Sequence, residues 1–431
     1  MNKKNTFFWF RRDLRLEDNV ALNKALTSGN KVIPIFIFDE EILDKLPKDD
    51  ARVSLIYKAL LELDLKLKEK GSSILIKKGN PLEIWKNLAS EFTIHSVYTN
   101  KDYEPYALKR DDKIRKFLNS NNIKFLRFKD QVIFEENEVL KNDGLPYTVF
   151  TPYKNKWLQK FDKLNDTTDF RIDFSSFYKF STNFPQIETI GFVESLIKLK
   201  PYNLHNLYNY DEIRDFPYLN KTSNLSPYLR FGLVSVRKMV QLALKTNATF
   251  LNELIWREFF MQILFHFPKV VTHNFKKKYD VIPWRNNEEE FKLWCRGETG
   301  YPLVDAGMRQ LNETGYMHNR VRMITAGFLC KHLLIDWRWG EAYFAEKLLD
   351  YELSANNGNW QWAAGTGCDA APYFRVFNPE TQLKKFDKDL QYVRKWVLDF
   401  DELTYAKPIV EHKFARERAI STYKKALNSF L

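Results

Sequence analysis

The sequence predicts an α/β N-terminal domain with a doubly wound, parallel, five-stranded sheet of Rossmann-like topology, followed by an all-α C-terminal domain. Three observations support this fold class. The chain has 431 residues, which is more than a single hydrophobic core usually serves. Over about the first 130 residues, strand-like and helix-like patterns alternate, which is typical of βαβ units. Beyond about residue 201, strand patterns disappear and helical patterns dominate.

Five short runs rich in β-branched and aromatic residues predict strands at residues 6–10, 31–38, 73–76, 95–99 and 123–128. Helical patterns between them predict helices at residues 18–26, 51–70, 81–90 and 104–119. The first strand is followed by RRDLRLEDN, which lacks the G-x-G-x-x-G pattern. The usual phosphate grip of a dinucleotide-binding turn is therefore not expected there.

The chain is predicted to divide into an α/β domain at residues 1–131, a connector at 132–200 and a helical domain at 201–431. A turn is expected at residues 143–146, where the sequence is DGLP, and residues 167–185 have little periodicity. The apolar residues of the connector indicate that it packs over a surface.

Composition and charge argue against several classes of protein. The net charge of +12 is a mild excess that permits a polyanionic partner without requiring one. No segment has the run of about 18 apolar residues that a membrane span needs, and the first apolar run is too short for a secretory signal. Three separated cysteines, Cys295, Cys330 and Cys368, argue against a disulfide framework. We expect a cytoplasmic protein, and no metal-binding motif is present.

Residues 300–382 contain the densest set of candidate functional side chains. Helices are expected from Pro302 to a stop at Gly315, and at about 318–334, 341–349 and 359–364. Trp360 and Trp362 lie two residues apart, so on a helix the two indoles are expected to face roughly opposite sides. Such indoles serve either as core anchors or as sites of one-electron oxidation.

Polar residues in the same stretch favour a cofactor site over a plain core. Arg322 lies in an apolar helix and needs a partner if buried, for which Asp350 is the candidate. Asn356, Asn357 and Asn359 add neutral donors and acceptors, which suits a redox-active heterocycle.

Two earlier segments also carry candidate residues. Thr222, Ser223 and Ser226 offer hydroxyls ahead of a helix that begins near Pro227, which fits either a phosphate site or an ordinary capping turn. Further on, Glu253 and Trp256 share one helix face with Arg257 next to them. This spacing fits a ligand pocket as well as an intrahelical salt bridge beside an aromatic core residue.

The stretch 300–382, above all NWQWAA at residues 359–364, closely resembles the photolyase/cryptochrome flavoproteins, and within them the class I cyclobutane pyrimidine dimer (CPD) photolyases. The resemblance spans nearly the whole chain. It implies a monomeric enzyme that binds FAD and uses light to split a pyrimidine dimer flipped out of DNA. The electron passes from reduced FAD to the dimer and returns when the cyclobutane ring has opened, which makes the reaction a carbon–carbon lyase reaction.

The resemblance also implies roles for single residues. The implied lesion contacts are Glu253, Trp256, Met323 and Trp362. Asn356 is implied to face flavin N5. A series of three tryptophans, Trp360, Trp337 and Trp284, is implied to photoreduce the flavin. Implied FAD contacts are Tyr210, Thr222, Ser223, Asn224, Leu225, Ser226, Asn319, Arg322, Asp350, Glu352 and Asn356. Implied DNA contacts are Arg257, Arg320, Arg375 and Gln382.

This chain departs from the family pattern in places. Asn224 stands where some bacterial members carry Arg, so a charge-assisted phosphate contact is missing. Tyr106 and Ala107 replace the Asn and Glu of the best-known folate-binding members. This argues against a folate antenna and leaves a deazaflavin, a flavin or no antenna in the N-terminal domain.

Two other functions are compatible with parts of the pattern. A cryptochrome-type signalling flavoprotein would bind FAD without repair, but members of that type often have altered lesion-pocket residues. A flavin oxidoreductase unrelated to light would need a nicotinamide-binding loop, which the sequence lacks. Repair is the function that the retained Glu253, Trp256, Met323 and Trp362 favour.

Overall fold

The computed structural model describes residues 5–162 and 172–429. The N-terminal part contains a parallel sheet in the order β3-β2-β1-β4-β5. Its strands are β1 (Asn5–Phe10), β2 (Val32–Asp39), β3 (Leu75–Gly79), β4 (Ile94–Asn100) and β5 (Lys124–Phe128). The helices between them are α1 (Val20–Leu26), α2 (Glu40–Leu43), α3 (Ala51–Lys68), α4 (Pro81–Glu91) and α5 (Pro105–Ser120). The predicted fold class is confirmed, although α2 was not predicted.

The central strand β1 is apolar because both of its faces are covered. Phe8 and Phe10 belong to one hydrophobic core cluster, and Phe7 and Trp9 belong to another. Since successive side chains of a strand point to opposite faces, the run FFWF supplies both cores. The register pairs Phe8 with Pro34 of β2 and with Tyr98 of β4.

The polar turn after β1 folds into a buried network. The Arg15 guanidinium donates two hydrogen bonds to Asp130, at 2.8 and 2.7 Å. Arg237 donates to the same carboxylate at 2.8 Å and to Asp18 at 3.1 Å. Burial would raise the pKa of Asp130, but the two guanidiniums hold it below its usual value. Arg15 and Asp18 of the RRDLRLEDN sequence therefore stabilise the fold.

In the remaining residues that the structure describes, the regular secondary structure is helical. Its helices are α6 (Phe150–Lys160), α7 (Tyr210–Ile213), α8 (Ser226–Arg230), α9 (Val236–Thr246), α10 (Ala248–His266), α11 (Glu288–Arg296), α12 (Pro302–Thr314), α13 (Asn319–Gly327), α14 (Trp337–Lys347), α15 (Leu353–Ala364), α16 (Pro379–Phe386), α17 (Gln391–Trp396) and α18 (His412–Ser429). In the described residues, no helix has the length and apolarity that a membrane crossing requires.

The chain forms two compact units that interleave in sequence. The α/β unit comprises Met1–Val139, Trp157–Lys200 and Leu225–Lys245. The helical unit comprises Leu140–Lys156, Pro201–Asn224 and Thr246–Leu431. The predicted boundaries at 131/132 and 200/201 describe contiguous domains and stay predictions. Part of the predicted connector, residues 163–171, lies outside the described residues.

Three predicted helices in the 300–382 stretch differ from the structure. The helix predicted at 318–334 ends at Gly327, where a single π-helical turn, Phe328–His332, follows, and Leu334 has a positive φ of 54°. The helix predicted at 341–349 begins four residues earlier, at Trp337, with Asp336 as its N-cap. The one predicted at 359–364 begins at Leu353. Its first turns contain Ser and Asn, which have low helix propensity, so the sequence pattern understated its length.

Candidate active site

A cavity in the helical unit brings together eight of the residues predicted from the sequence. It encloses about 620 Å³, part of which is open to solvent. These eight are residues to which the family resemblance assigns a role: Asn319, Arg322, Met323, Asp350, Glu352, Asn356, Trp360 and Trp362. Asn359, a further candidate polar residue, also lines the cavity. Phe344, Leu348 and Tyr351 add apolar and aromatic walls. A largely apolar chamber with a few convergent polar groups is the usual form of a site for a large organic ligand.

The charged pair in this cavity is formed by Arg322 and Asp350. Arg322 Nη2 lies 2.9 Å from Asp350 Oδ2, and Arg322 Nε donates to the Met317 carbonyl at 2.8 Å. Burial alone would lower the pKa of Arg322, but Asp350 raises it above its usual value. The guanidinium therefore stays charged, and its orientation is set from two sides.

Helix α15 presents one side to the cavity and is hydrogen-bonded on the other. Asn356, Trp360 and Trp362 line the cavity. On the opposite side, Gln361 Nε2 and Asn357 Nδ2 each donate to the Val270 carbonyl at 3.0 Å. Trp360 and Trp362 both line this chamber, and the expected opposite orientation of the two indoles stays a prediction. The chamber extends around the helix far enough to reach both long side chains.

Trp360 is held by a close approach of α14 to α15. Its ring meets Phe344 edge-on at 5.0 Å between centroids, and the side chain is only 2% exposed. A methyl group at Gly340 would lie 2.1 Å from Trp360 Cη2 and 2.6 Å from Leu329 Cδ2. Glycine at this helical position is therefore what allows the indole to lie beneath α14.

The other two tryptophans of the predicted series belong to the same part of the core. Trp337 is fully buried, and its Nε1 donates to Asn274 Oδ1 at 2.8 Å. Trp284 is partly exposed and meets Tyr423 edge-on at 5.9 Å. Trp337 and Trp360 belong to one hydrophobic cluster, against which Trp284 packs. The series thus runs from a cavity wall to a partly exposed ring, and its role in electron transfer stays a prediction.

Trp256 and Glu253 do not line this cavity. The Trp256 ring is stacked on Phe150, with 3.7 Å between centroids and 6° between planes. Glu253 Oε1 accepts a hydrogen bond from Arg214 Nη1 at 2.5 Å. One face of the indole is therefore already covered, and the predicted lesion contacts of these two residues stay predictions.

The four predicted DNA contacts differ in their surroundings. Arg257 lies 3.4 Å from Glu352, with a side chain only 13% exposed, so it bridges two protein segments. Arg320 pairs with Asp215 at 2.7 Å. Arg375 is exposed, and Gln382 is half-buried. Of the four, Arg375 has the exposure that a phosphate contact requires, and all four roles stay predictions.

The predicted phosphate-binding residues divide between the two units. In the helical unit, Thr222 Oγ1 lies 3.2 Å from the Tyr316 hydroxyl, and Ser223 O accepts a hydrogen bond from Asn203 N at 2.8 Å. Asn224 has a positive φ of 51°, a conformation that Asn tolerates better than most residues. Tyr210 lies below the Arg214 guanidinium, 5.4 Å from its ring centroid. In the α/β unit, Leu225 is buried, and Ser226 begins the five-residue helix α8.

His318 is the histidine nearest to the cavity-lining residues in sequence. Its Nδ1 accepts a hydrogen bond from Arg320 N at 3.2 Å, which makes the imidazole the N-cap of α13. The side chain is 3% exposed, and burial lowers its pKa to about 4. The imidazole is therefore neutral at physiological pH and acts as a helix cap.

Tyr106 of the α/β unit belongs to an ordered set of polar and aromatic side chains. The Tyr106 hydroxyl donates to Asp39 Oδ2 at 2.6 Å. The Arg110 guanidinium lies over the rings of Trp9 and Tyr106, at 5.0 and 5.6 Å from their centroids. Tyr106, one of the two departures from the folate-binding pattern, is thus part of a protein-internal network.

Four residues that contact predicted site residues were not predicted from the sequence: Gly340, Glu341, Tyr316 and Arg214. Gly340 directly precedes the helix predicted at 341–349, so the sequence pattern did not mark it as a glycine inside a helix. The other three act through partners distant in sequence, as in the contact between Arg214 and Glu253.

Two models of known protein families match this chain. The family model described as the FAD binding domain of DNA photolyase matches residues 250–404, and the model described as DNA photolyase matches residues 6–170. A curated protein named deoxyribodipyrimidine photo-lyase, from Agrobacterium fabrum, is 35% identical over 96% of this chain and 96% of its own length.

Two solved structures are similar over nearly their whole length. A bacterial class III photolyase from Agrobacterium tumefaciens has a TM-score of 0.88 and 33% identity, covering 99% of this chain and 98% of the other. An archaeal photolyase from Sulfolobus tokodaii, solved with two FAD molecules, has a TM-score of 0.85 and 35% identity, covering 98% of this chain and 100% of the other. The assignment of this chain to class I stays a prediction.

Replacing Gly340 by Ala should destabilise the helical unit. The gain in helix propensity, about 1 kcal/mol, is smaller than the cost of forcing a methyl group against the Trp360 ring, about 1–3 kcal/mol. Chemical unfolding followed by tryptophan fluorescence measures the difference. Gly327→Ala is the matched control, since its methyl group would meet only Phe377 at an ordinary 3.7 Å. A Gly340→Ala protein as stable as Gly327→Ala would contradict the close packing.

Replacing His318 by Asn should flatten the dependence of stability on pH. The pKa of His318 is lowered from 6.5 to about 4, so below pH 6.5 the unfolded chain takes up a proton that the folded chain refuses. The wild type should therefore lose up to about 3 kcal/mol between pH 6.5 and about 4. Asn keeps a capping side chain but has no proton to take up. If the free energy of unfolding changed with pH in the same way in the two proteins across this range, the lowered pKa of His318 would be refuted.

Proposed function

The chain belongs to the DNA photolyase family and acts in light-driven DNA repair with FAD as its cofactor, and we propose that the cavity beside α15 is its catalytic centre. The cavity holds the Arg322–Asp350 pair, Asn356 and two indoles in one chamber. That combination is the observation that carries the proposal, because it joins a site for a polar heterocycle to aromatic walls that suit flipped-out bases.

The residues present fit the FAD ring system. A planar heterocycle needs apolar walls and a small number of donors and acceptors at its edge. Phe344, Leu348 and Trp360 supply walls, and Asn356 supplies a carboxamide. Arg322 and Asp350 place a cation and an anion side by side without adding net charge. These residues would hold the ring system of FAD, and Thr222 and Ser223 would bind its phosphate groups.

The cofactor supplies the photochemistry, since reduced FAD excited by blue or near-UV light provides the electron that opens the cyclobutane ring. The protein's part is to hold the dimer against the ring and to exclude water. Met323 and Trp362 line the chamber and would contact the lesion. Arg375 would bind the DNA backbone, because exposed guanidiniums give the bidentate phosphate contacts that position a duplex. No general acid or base is required.

The family acts on DNA that contains pyrimidine dimers. We further propose that this chain works as a monomer in the cytoplasm. Its three cysteines, Cys295, Cys330 and Cys368, are free thiols, which suits a reducing compartment.

Light-dependent repair of UV-irradiated DNA tests the proposed function. The protein loaded with FAD should remove CPD lesions under blue light and leave them unchanged in darkness. Lesion loss is measured with a dimer-specific endonuclease on the same plasmid. A protein that retains FAD but leaves the lesions in place under light would be a signalling flavoprotein.

Replacing Trp284 by Phe should separate photoreduction from repair. Phe is much harder to oxidise than Trp, so light-driven reduction of the oxidised flavin should slow by roughly tenfold or more. Repair by chemically pre-reduced protein should change little, because that reaction does not draw on Trp284. Trp396→Phe is the control, since Trp396 packs against the same cluster outside the predicted series. Equal loss of both reactions in Trp284→Phe would discredit the electron-transfer role.

A further inference from the structure

We propose that Asn274 is a positioning residue that keeps the indole proton on Trp337 while an electron passes along the tryptophan series. The inference rests on the proposed function, because it takes Trp360, Trp337 and Trp284 as the route by which the flavin is reduced. Trp337 is the middle member of that series and is fully buried. Asn274 is 5% exposed and lies in the loop between α10 and α11.

The direction of the Asn274 amide is fixed by its two neighbours. Trp337 Nε1 donates to Asn274 Oδ1 at 2.8 Å, and Asn274 Nδ2 donates to Asp280 Oδ1 at 2.8 Å. The backbone N–H of Asn274 donates to the same carboxylate oxygen at 3.0 Å. An indole is only a donor and an ionised carboxylate is only an acceptor, so a flipped amide would lose both side-chain hydrogen bonds. The neutral amide oxygen therefore faces the indole, and the carboxylate of Asp280 is held behind it.

The amide oxygen next to the indole matters when the indole loses an electron. Oxidation of an indole leaves a radical cation whose N–H is strongly acidic. A carboxylate in contact with that N–H would act as a base and leave a neutral radical, which is a weaker oxidant. An amide oxygen is not a base at physiological pH, so Asn274 accepts the hydrogen bond without removing the proton. Trp337 therefore keeps its full oxidising power towards Trp284.

The balance of electrons and protons along the series follows from the protonated state of Trp337. One electron moves from Trp337 to oxidised Trp360, and one electron then moves from Trp284 to Trp337, which restores the neutral Trp337 indole with its proton. The proton that is finally released comes from Trp284, whose ring is partly exposed and can pass it to water. The Arg338 guanidinium favours the same outcome, since it lies 4.8 Å from the centroid of the Trp337 ring and disfavours positive charge there.

Exchanging the two polar side chains tests the inference. The double variant Asn274→Asp, Asp280→Asn keeps the net charge and the hydrogen bond between the two side chains, but it puts the carboxylate against the indole. Light-driven reduction of the flavin should then slow by roughly tenfold or more, because the proton leaves Trp337 and the oxidised state is trapped there. Equal rates in the wild type and in the double variant would overturn the inference.

Asp280→Asn alone is the control for this exchange. It removes the carboxylate but leaves the amide of Asn274 at the indole, so the rate of flavin photoreduction should stay close to that of the wild type. A control that slows as much as the double variant would overturn the inference, because the position of the carboxylate would then not matter.

The radical on Trp337 can be observed directly in Trp284→Phe, where the series ends at Trp337. Transient absorption after a laser flash distinguishes the radical cation from the neutral radical, which absorbs at shorter wavelength. With Asn274 in place, the cation spectrum should last until the electron returns, and adding the exchange should convert it to the neutral spectrum. A neutral spectrum with Asn274 in place would overturn the inference, and this measurement decides even if the double variant loses flavin.

Two further readouts separate the inference from the proposed function. In the dark, the hydrogen-bond-sensitive Raman band of the Trp337 indole, assigned by its loss in Trp337→Phe, should shift in Asn274→Leu, and an unchanged band would overturn the inference. Repair by chemically pre-reduced protein should be equal in the double variant and the wild type, and a loss in the double variant would overturn the positioning role. A wild type that repairs no lesions would defeat the proposed function, whereas the radical spectra would still decide about Asn274.

Discussion

The arrangement of the cavity depends on the hydrogen bonds that fix the rear of helix α15. Gln361 Nε2 donates to the Val270 and His273 carbonyls, at 3.0 and 3.3 Å, and its Oε1 accepts from Phe275 N at 2.8 Å. The side chain is 2% exposed, so each unmade bond would leave a buried polar group unsatisfied. These bonds fix the rotation of α15 about its axis. That rotation determines which residues meet the cavity.

The C-terminal end of α15 is also held by hydrogen bonds. The Ala364 carbonyl accepts hydrogen bonds from Lys331 Nζ at 2.7 Å and from the Tyr423 hydroxyl at 2.8 Å. Burial lowers the pKa of Lys331 to about 7, and the ammonium lies over the Tyr423 ring, 3.8 Å from its centroid. A donor at this position satisfies a carbonyl that the helix itself leaves unpaired. The π-helical turn Phe328–His332 places Lys331 there, which accounts for an irregularity that the sequence pattern did not indicate.

The sequence predicted the sheet and most of the cavity-lining residues, because both have local signals. Alternating apolar runs mark the strands, and a run such as NWQWAA is specific enough to indicate a family. The limits of α15 were missed because Asn356 and Asn357 have low helix propensity and are stabilised by tertiary hydrogen bonds. The covering of Trp256 by Phe150 was missed for a related reason. Contacts between residues about a hundred positions apart leave no periodic pattern.

The directions of two cavity-lining side chains are therefore set in part by residues that do not line the cavity. Arg322 is oriented by the Met317 carbonyl, and Asn356 is oriented by Glu341. The direction of each of these two groups would be free without its partner, since amide and guanidinium groups rotate about single bonds. A sequence motif that contains the lining residues determines which functional groups are present in the cavity. Their directions depend on this supporting layer.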